Sequence, residues 1–383
     1  MTSQNPYLDL KKASARPYQI CKRCIMDTSD PTITFDDRGF CNHCIRVERE
    51  FIGKSWQPNA SDKLQARIDE IKKAGKDKKY DCLIGLSGGV DSSFLAHLVV
   101  REWGLRPLAV HVDAGWNSEI AVHNIEVLVR KLDIDLYTEV IDWENVQDLQ
   151  RAYMLSGVEN QDVPQDHVFF SVLNRLVIKY DLQYFLTGGN ASTESILPSS
   201  WGYDATDSIN LLDIHRRFGS RKLDKYPHMP LWRRHIYYRF IAKFEAVRLL
   251  DLYPYFREPA IKTIEDLYGW KNYGDKHHES RWTRWFQAHY LPYKFGIDKR
   301  RAHIASMVMS GELTRDEALE AIERPLYDPT QLLIDTEYVK KKLGFSDNEY
   351  LSIMNAEPKM YSDYKNAAAI LNQLRRIKRM LRL

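Results

Sequence analysis

No apolar run in this sequence approaches the roughly 20 residues that cross a bilayer, so no membrane span is expected. The opening stretch, MTSQNPYLDLKKASARPYQ, lacks the apolar segment of a secretory leader, which predicts a cytoplasmic protein. An excess of one charge is missing too: 55 Lys and Arg against 52 Asp and Glu leave a net +3, which argues neither for nor against a nucleic-acid partner. Internal repeats and low-complexity tracts are absent. Cysteine is scarce, with five in 383 residues, and a chain of this length buries enough core to fold without disulfides.

What cysteine there is has a pattern. Cys21-x-x-Cys24 and Cys41-x-x-Cys44 form two pairs joined by residues 25–40, with the turn Asp36–Gly39 between them. Two short loops that each present two thiolates fit one tetrahedral Zn2+. An iron–sulfur cluster or redox dithiols are the other readings of the spacing. Four thiolates leave zinc no open position, so the role expected of the metal is structural. Cys82 stands apart, inside an apolar run, and reads as core.

From Tyr80 the chain alternates strand and helix. YDCLIGL (80–86), PLAVHVD (107–113), DLYTEVID (135–142) and LQYFLTGG (182–189) read as strands. Between them lie helices at 92–102, at SEIAVHNIEVLVRKL with Ser118 as its cap, and around VFFSVLNRLVIKY. A helix with Leu64, Ile68 and Ile71 on one face precedes the first strand. This rhythm predicts an α/β fold: a doubly wound parallel sheet covered on both faces, with ligands at the carboxyl ends of its strands. Beyond residue 200 the pattern loosens. Residues 267–301 are dense in Trp, Tyr, His, Lys and Arg, which suggests a substrate-facing segment, although Trp270, Trp282 and Trp285 also read as core. A helix is expected in ELTRDEALEAIERP, and a basic amphipathic helix at the C-terminus, with Ile370, Leu374, Ile377 and Leu381 on one stripe.

The first strand ends in Ser87-Gly88-Gly89-Val90-Asp91-Ser92-Ser93. Backbone N–H groups of a glycine-rich turn that feeds a helix make an anion cradle. A Walker loop would need a lysine that is missing here. Asp91 puts a carboxylate into the cradle instead, and a carboxylate tolerates phosphate only across a hard cation such as Mg2+. The loop should therefore bind a Mg2+-chelated polyphosphate.

Ser-Gly-Gly-Val-Asp-Ser-Ser after a strand and before a helix resembles the PP-loop of the ATP pyrophosphatases, whose fold is adenine nucleotide α-hydrolase-like. The resemblance implies ATP cleavage between the α and β phosphates, adenylation of a substrate carbonyl oxygen, and displacement of AMP by a nitrogen or sulfur nucleophile. By position, residues Ser87, Gly88, Gly89, Val90, Asp91, Ser92 and Ser93 would hold pyrophosphate and Mg2+. Asp113 and its neighbour Val112 would lie against adenosine. TGGNASTE resembles the second nucleotide segment, with Gly188 and Asn190 as contacts and Glu194 as a second Mg2+ ligand. It departs from some relatives in having Gly189-Asn190 where they carry Asp-His.

ICKRCIMDTSDPTITFDDRGFCNHC, GLSGGVDSS, LAVHVDAGWNS, LTGGNASTES and residues 269–318 together resemble the N-acetyl sugar amidotransferase family of surface-polysaccharide (O-antigen) biosynthesis. That resemblance implies conversion of an acetamido group on a nucleotide-linked sugar to an acetamidino group. ATP, Mg2+ and Zn2+ are the cofactors it implies, and a glutaminase with a cyclase-like channelling subunit the partners. Lys294, Lys299, Arg300 and Arg301 are candidates to offset phosphate charge, with Lys276, His277, His278 and Glu279 beside them; of these, Lys294, Lys299 and Arg300, with Asp91, are assigned to catalysis. The expected divisions are arm and zinc ribbon at 1–55, PP-loop domain at 56–325, and a helical C-terminal region at 326–383. Two alternatives stand: a tRNA-modifying, thiolating PP-loop enzyme whose ribbon grips RNA, and a non-catalytic assembly protein. Balanced charge and the absence of a spare cysteine outside the strand weigh against the first, and the intact loop against the second.

Overall fold

The structure, a computed structural model, describes residues 16–52, 60–274, 276, 278–368 and 370. His277, most of the N-terminal arm, and Leu374, Ile377 and Leu381 of the C-terminal stripe lie outside the described residues. Among the described residues no helix is long and apolar enough to cross a membrane.

Five strands form one parallel sheet: β1 (Cys82–Gly85), β2 (Pro107–Asp113), β3 (Leu136–Val140), β4 (Tyr184–Leu186) and β5 (Glu245–Val247), in the order β3-β2-β1-β4-β5. Every residue of β1 is buried, because helices cover both faces of the central strand. Its side chains alternate between two cores. Cys82 and Ile84 pack with Leu64, Ile68, Phe94 and Leu128, while Leu83 packs with Val110, Leu149 and Val172. Burial raises the Cys82 thiol above its usual pKa, in keeping with a core role. The edge strand β3 alternates instead and leaves Val140 exposed. β5 is the strand that the sequence does not announce, for three residues with one buried side chain carry no period. Ser118 caps the helix Glu119–Leu132 as expected, its Oγ accepting from Ala121 N at 3.1 Å. The helix Trp143–Ser156 after β3 is an addition to the sequence reading and is capped by Asp142.

The third core joins distant parts of the chain. The four ribbon cysteines, Ile25 and Ile33 pack with Trp282, Trp285, Ala302 and Ala318, so the ribbon and the helices after residue 280 share one apolar cluster. Arg301 donates to Ile25 O and pairs with Asp27, and Arg315 donates to the carbonyls of Cys21 and Cys24. The order of strands reverses at β1, and the loops after β1 and β4 open there into one crevice, where sheets of this kind bind ligands.

Candidate active site

The loop after β1 needs its glycines. Gly88 has φ +81°, and a Cβ there would lie 2.5 Å from Ala121 O, so both conformation and space require glycine. Its carbonyl accepts from Asn124 Nδ2 at 3.3 Å and from Trp270 Nε1 at 3.2 Å. Ser92 closes the loop, its Oγ accepting from Ser87 N at 3.3 Å and donating to Gly89 O at 3.2 Å. The helix Val90–His97 starts at once, aiming its N-terminal donors into the crevice. The segment after Trp270 lies across them. Val90 N donates to Tyr273 OH at 3.0 Å, and a Cβ on Gly89 would meet Glu279 Oε1 at 2.9 Å. The loop after β4 comes equally close, since a Cβ on Gly188 would lie 2.9 Å from Ser92 N.

Asp91 and Glu194, far apart in sequence, meet at one point. Lys276 Nζ donates to Asp91 Oδ2 at 2.8 Å, to Glu194 Oε1 at 2.9 Å and to Thr193 Oγ1 at 2.6 Å. Burial alone would lower the pKa of this ammonium, but Asp91 and then Glu194 hold it up at about 12. Burial would likewise raise Glu194, and the charge of Lys276 brings it below its usual range. Tyr255 donates its hydroxyl to Asp91 from the other side. The ammonium occupies the place of a cation between two carboxylates, a hydroxyl and the phosphate cradle. Hard oxygen donors in that setting suit Mg2+, so Asp91 and Glu194 fit the metal implied by the resemblance. Burial pushes Glu279 up to about 7, and its Oε2 has no partner among the described residues.

Two cavities flank this site, the first of them touching the loop at Ser87. The first, about 810 Å3, is lined by Leu86, Ser87, His111, Val112, Trp116 and Trp201 on one side and by Asp162, Asp166, Thr283 and Lys299 on the other. Asp162 accepts from Gln165 at 2.7 Å, Thr283 at 3.1 Å and Gln287 at 3.4 Å. Burial raises its pKa, while desolvation and then the charge of Asp162 push Asp166 up to about 7. The second cavity, about 820 Å3, reaches Thr193, Lys276 and His303, and Gln287 and Lys299 line both.

Of the residues singled out from sequence, the structure brings Ser87–Ser93, Gly188, Glu194, Lys276, Glu279 and Lys299 to this crevice. It sends others elsewhere. Lys294 donates to the carbonyls of Ile353 and Ala356, both at 2.6 Å, and so pins the C-terminal region. Arg300 forks onto Asp298 at 2.8 Å and reaches Arg324 O, fixing the start of its own helix, and it lines the second cavity beside Lys299. Asp113 accepts from Gly115 N at 2.8 Å beside a separate depression with Trp143 and Lys342; Val112, one residue earlier, lines the large cavity. Asn190 is wholly buried as the cap of helix Ala191–Glu194, accepting from Thr193 N at 2.9 Å. Trp282 and Trp285 are core, whereas Trp270 is a buried brace for the loop. Tyr255, Tyr273, Asp162 and Asp166 were not singled out from sequence. The carboxylate pair had a signal: two Asp four residues apart at a helix start, followed by the apolar run Val168–Phe170.

The cysteine cluster fits zinc. Zn–S bonds of about 2.3 Å put the edges of a tetrahedron near 3.8 Å; the cluster shows Cys21–Cys44 and Cys24–Cys41 Sγ separations of 3.8 Å and 3.6 Å for Cys41–Cys44. All four are free and buried, and backbone N–H groups point at the sulfurs, as from Cys41 N to Cys21 Sγ at 3.2 Å. These bonds stabilise thiolates.

Residues 279–379 match the family described as LPS biosynthesis protein WbpG-like, C-terminal domain. A GMP synthase (glutamine-hydrolysing) from Thermosipho africanus is 30% identical over 152 residues, which are 38% of this chain and 27% of that protein. The uncharacterised protein MJ1599 of Methanocaldococcus jannaschii is 26% identical over 121 residues, 30% of this chain and 40% of its own length. This chain thus spans between a quarter and two fifths of these curated relatives. Among solved structures, an NMN synthetase from Francisella tularensis is similar over 35% of this chain and 55% of that one, at 23% identity and a TM-score of 0.29.

Proposed function

We propose that this chain, a WbpG-like member of the PP-loop ATP pyrophosphatase superfamily, is an AMP-forming, ATP-dependent amidotransferase that turns the N-acetyl group of a nucleotide-linked sugar into an acetamidino group. The observation that carries the reading is the meeting of Asp91 and Glu194 on one cation position beside a lysine-free glycine loop and a cavity of about 810 Å3. A kinase-type loop would keep a lysine for the β and γ phosphates. This one offers amides and hydroxyls to a pyrophosphate, with carboxylates for its Mg2+, which when bound neutralises the leaving group.

In this reading Ser87, Ser92, Ser93 and the backbone of Gly88–Asp91 hold the pyrophosphate half of ATP. Leu86, His111 and Val112 face adenosine. The sugar lies in the same cavity, where Trp116 and Trp201 supply apolar walls. The acetamido oxygen attacks the α-phosphorus as the bond to pyrophosphate breaks. Ammonia then adds to the activated carbon, and the C–O bond to AMP breaks. Lys299, on the wall shared by both cavities, places positive charge near the phosphates. The five cysteines of this sequence stand in the ribbon and in β1, away from the cavities; in this reading a glutaminase supplies the ammonia through a channelling subunit.

Release of AMP and pyrophosphate tests the proposal, with the chain, Mg2+-ATP, ammonium and diacetamido nucleotide sugars. One AMP per amidine formed is expected. AMP formed only with tRNA would instead make the chain a tRNA-modifying enzyme.

A further inference from the structure

Resting on that reading, we propose that Asp166, backed by Asp162, is the base that takes the proton shed when ammonia adds to the activated amide, and that the two carboxylates then hold the cationic amidine. Both residues line the cavity that also holds Ser87 of the loop. They divide the labour. Asp162 is fixed by Gln165, Thr283 and Gln287, whereas the Asp166 carboxylate accepts no hydrogen bond among the described residues and faces the cavity.

A ligand is called for by independent groups in the same walls. Trp116 and Trp201 are each 1% exposed, line the cavity, and carry an indole N–H without a partner among the described residues. Buried donors left unpaired are costly, and both stand in the wall of this cavity.

The other titratable groups facing the cavity are less suited to the task. His111 Nδ1 donates to Leu86 O at 3.0 Å and its Nε2 accepts from Asn117 at 2.9 Å, which leaves no lone pair. Asp204 is paired with Arg234. Lys299 acts on the pair through its charge. Glu279 stands against Gly89 at the loop and is the rival base. Asp166 is exposed to the cavity but lies deep in the crevice, where desolvation and then the charge of Asp162 bring its pKa to about 7, so near neutrality it can both accept and release a proton.

The step balances without an outside reagent. The nitrogen lone pair forms the N–C bond, and the adduct's N–H proton passes to Asp166. The C–O bond then breaks with its electron pair on AMP. A nitrogen lone pair of the adduct drives that departure, so the product forms directly as the amidinium cation. Asp166 passes the proton it took to water, and the cation then lies between two carboxylates, which its charge favours. Neutral acetamide gains no such attraction, so the pair favours the product side.

The test compares Asp166→Asn and Asp166→Glu with the parent chain in two half-reactions. Sugar-dependent exchange of labelled pyrophosphate into ATP, without ammonium, reads adenylation alone. It should stay within about twofold in both variants. Ammonium-dependent amidine formation should fall about 100-fold or more in Asp166→Asn and recover in part in Asp166→Glu. Hydroxylamine, uncharged at neutral pH and with a more acidic adduct N–H, should serve Asp166→Asn with a loss of tenfold at most. Equal loss with both nucleophiles, or exchange and turnover falling together, overturns the assignment, as does a Glu279→Gln variant that alone shows the expected pattern. Absence of exchange in the parent chain overturns the amidotransferase reading itself.

Discussion

The ribbon and the loop both gather anionic side chains around one cation position, and they do it in opposite ways. At the ribbon four thiolates stand 3.6–3.8 Å apart along the measured edges, are fully buried, and have backbone donors on their sulfurs. Every ligand position is internal, and the apolar shell is shared with the helices after residue 280. At the loop two carboxylates with side-chain exposures of 20% and 28% surround a lysine that belongs to the chain itself. A side chain can be displaced where a tetrahedral knot cannot. On the proposed reading the ribbon would keep a zinc ion, and the loop would exchange its lysine for Mg2+.

The comparison breaks most visibly at the ribbon. Cys41→Ser should lose the metal and melt far below the parent, because structural zinc contributes about 10–16 kcal/mol in small zinc domains. Metal content and thermal unfolding measure this, and a chelator should reproduce it. An unchanged melt would mean that the cysteines are only core. At the loop the reverse is expected. Asp91→Ala should keep its melting temperature within a few degrees yet lose about 10²–10³ in turnover, the usual scale for removing a group that stabilises developing phosphate charge. A variant that unfolds would place Asp91 with the ribbon's kind of residue.

Gly88→Ala sits between these extremes. The left-handed φ and the approach to Ala121 O predict a loss of about 2–3 kcal/mol, read from urea unfolding. Lys276→Met sharpens the exchange argument: with the ammonium gone, millimolar Mg2+ should raise the melting temperature more in the variant than in the parent, because the ion now relieves two facing carboxylates. Equal shifts would separate Lys276 from the metal position.

The smallest effect concerns pH. The folded-state pKa of Asp166 is raised to about 7, so the native state holds a proton that the unfolded chain releases near pH 4. That preference stabilises the fold at low pH and is lost as pH rises from about 4 through 7. Asp166→Asn should therefore match the parent near pH 4 and be more stable near pH 8 by about 1 kcal/mol, a modest figure because the carboxyl faces cavity water that screens its cost. Chemical denaturation at the two pH values checks it. A residue that costs stability at working pH is one expected of a functional site.

Much of the core was legible along the chain. β2 was read to its last residue, and Ser118 to its hydrogen bond, because an apolar run and a cap are local signals. β5 and the helix Trp143–Ser156 were not, since the first is too short to show a period and the second hides most of its polar residues in contacts from elsewhere. The density of basic residues near Lys294 and Arg300 pointed to phosphate, yet those side chains answer carbonyls and Asp298; charge in a sequence does not say which acceptor lies nearest.

By itself the sequence determined the chemistry on offer: a lysine-free glycine loop between strand and helix, two cysteine pairs at ligand spacing, and the alternation that makes a parallel sheet. All of these depend on neighbours within a few residues, where backbone geometry dictates what can form. The tertiary structure alone decided that Lys276 lies between Asp91 and Glu194, that Asp162 and Asp166 share a cavity with Ser87, and that the ribbon completes the core of the C-terminal helices. Those partners lie tens to hundreds of residues apart, and only the packing of the sheet and its layers brings them within reach of a hydrogen bond or a common wall.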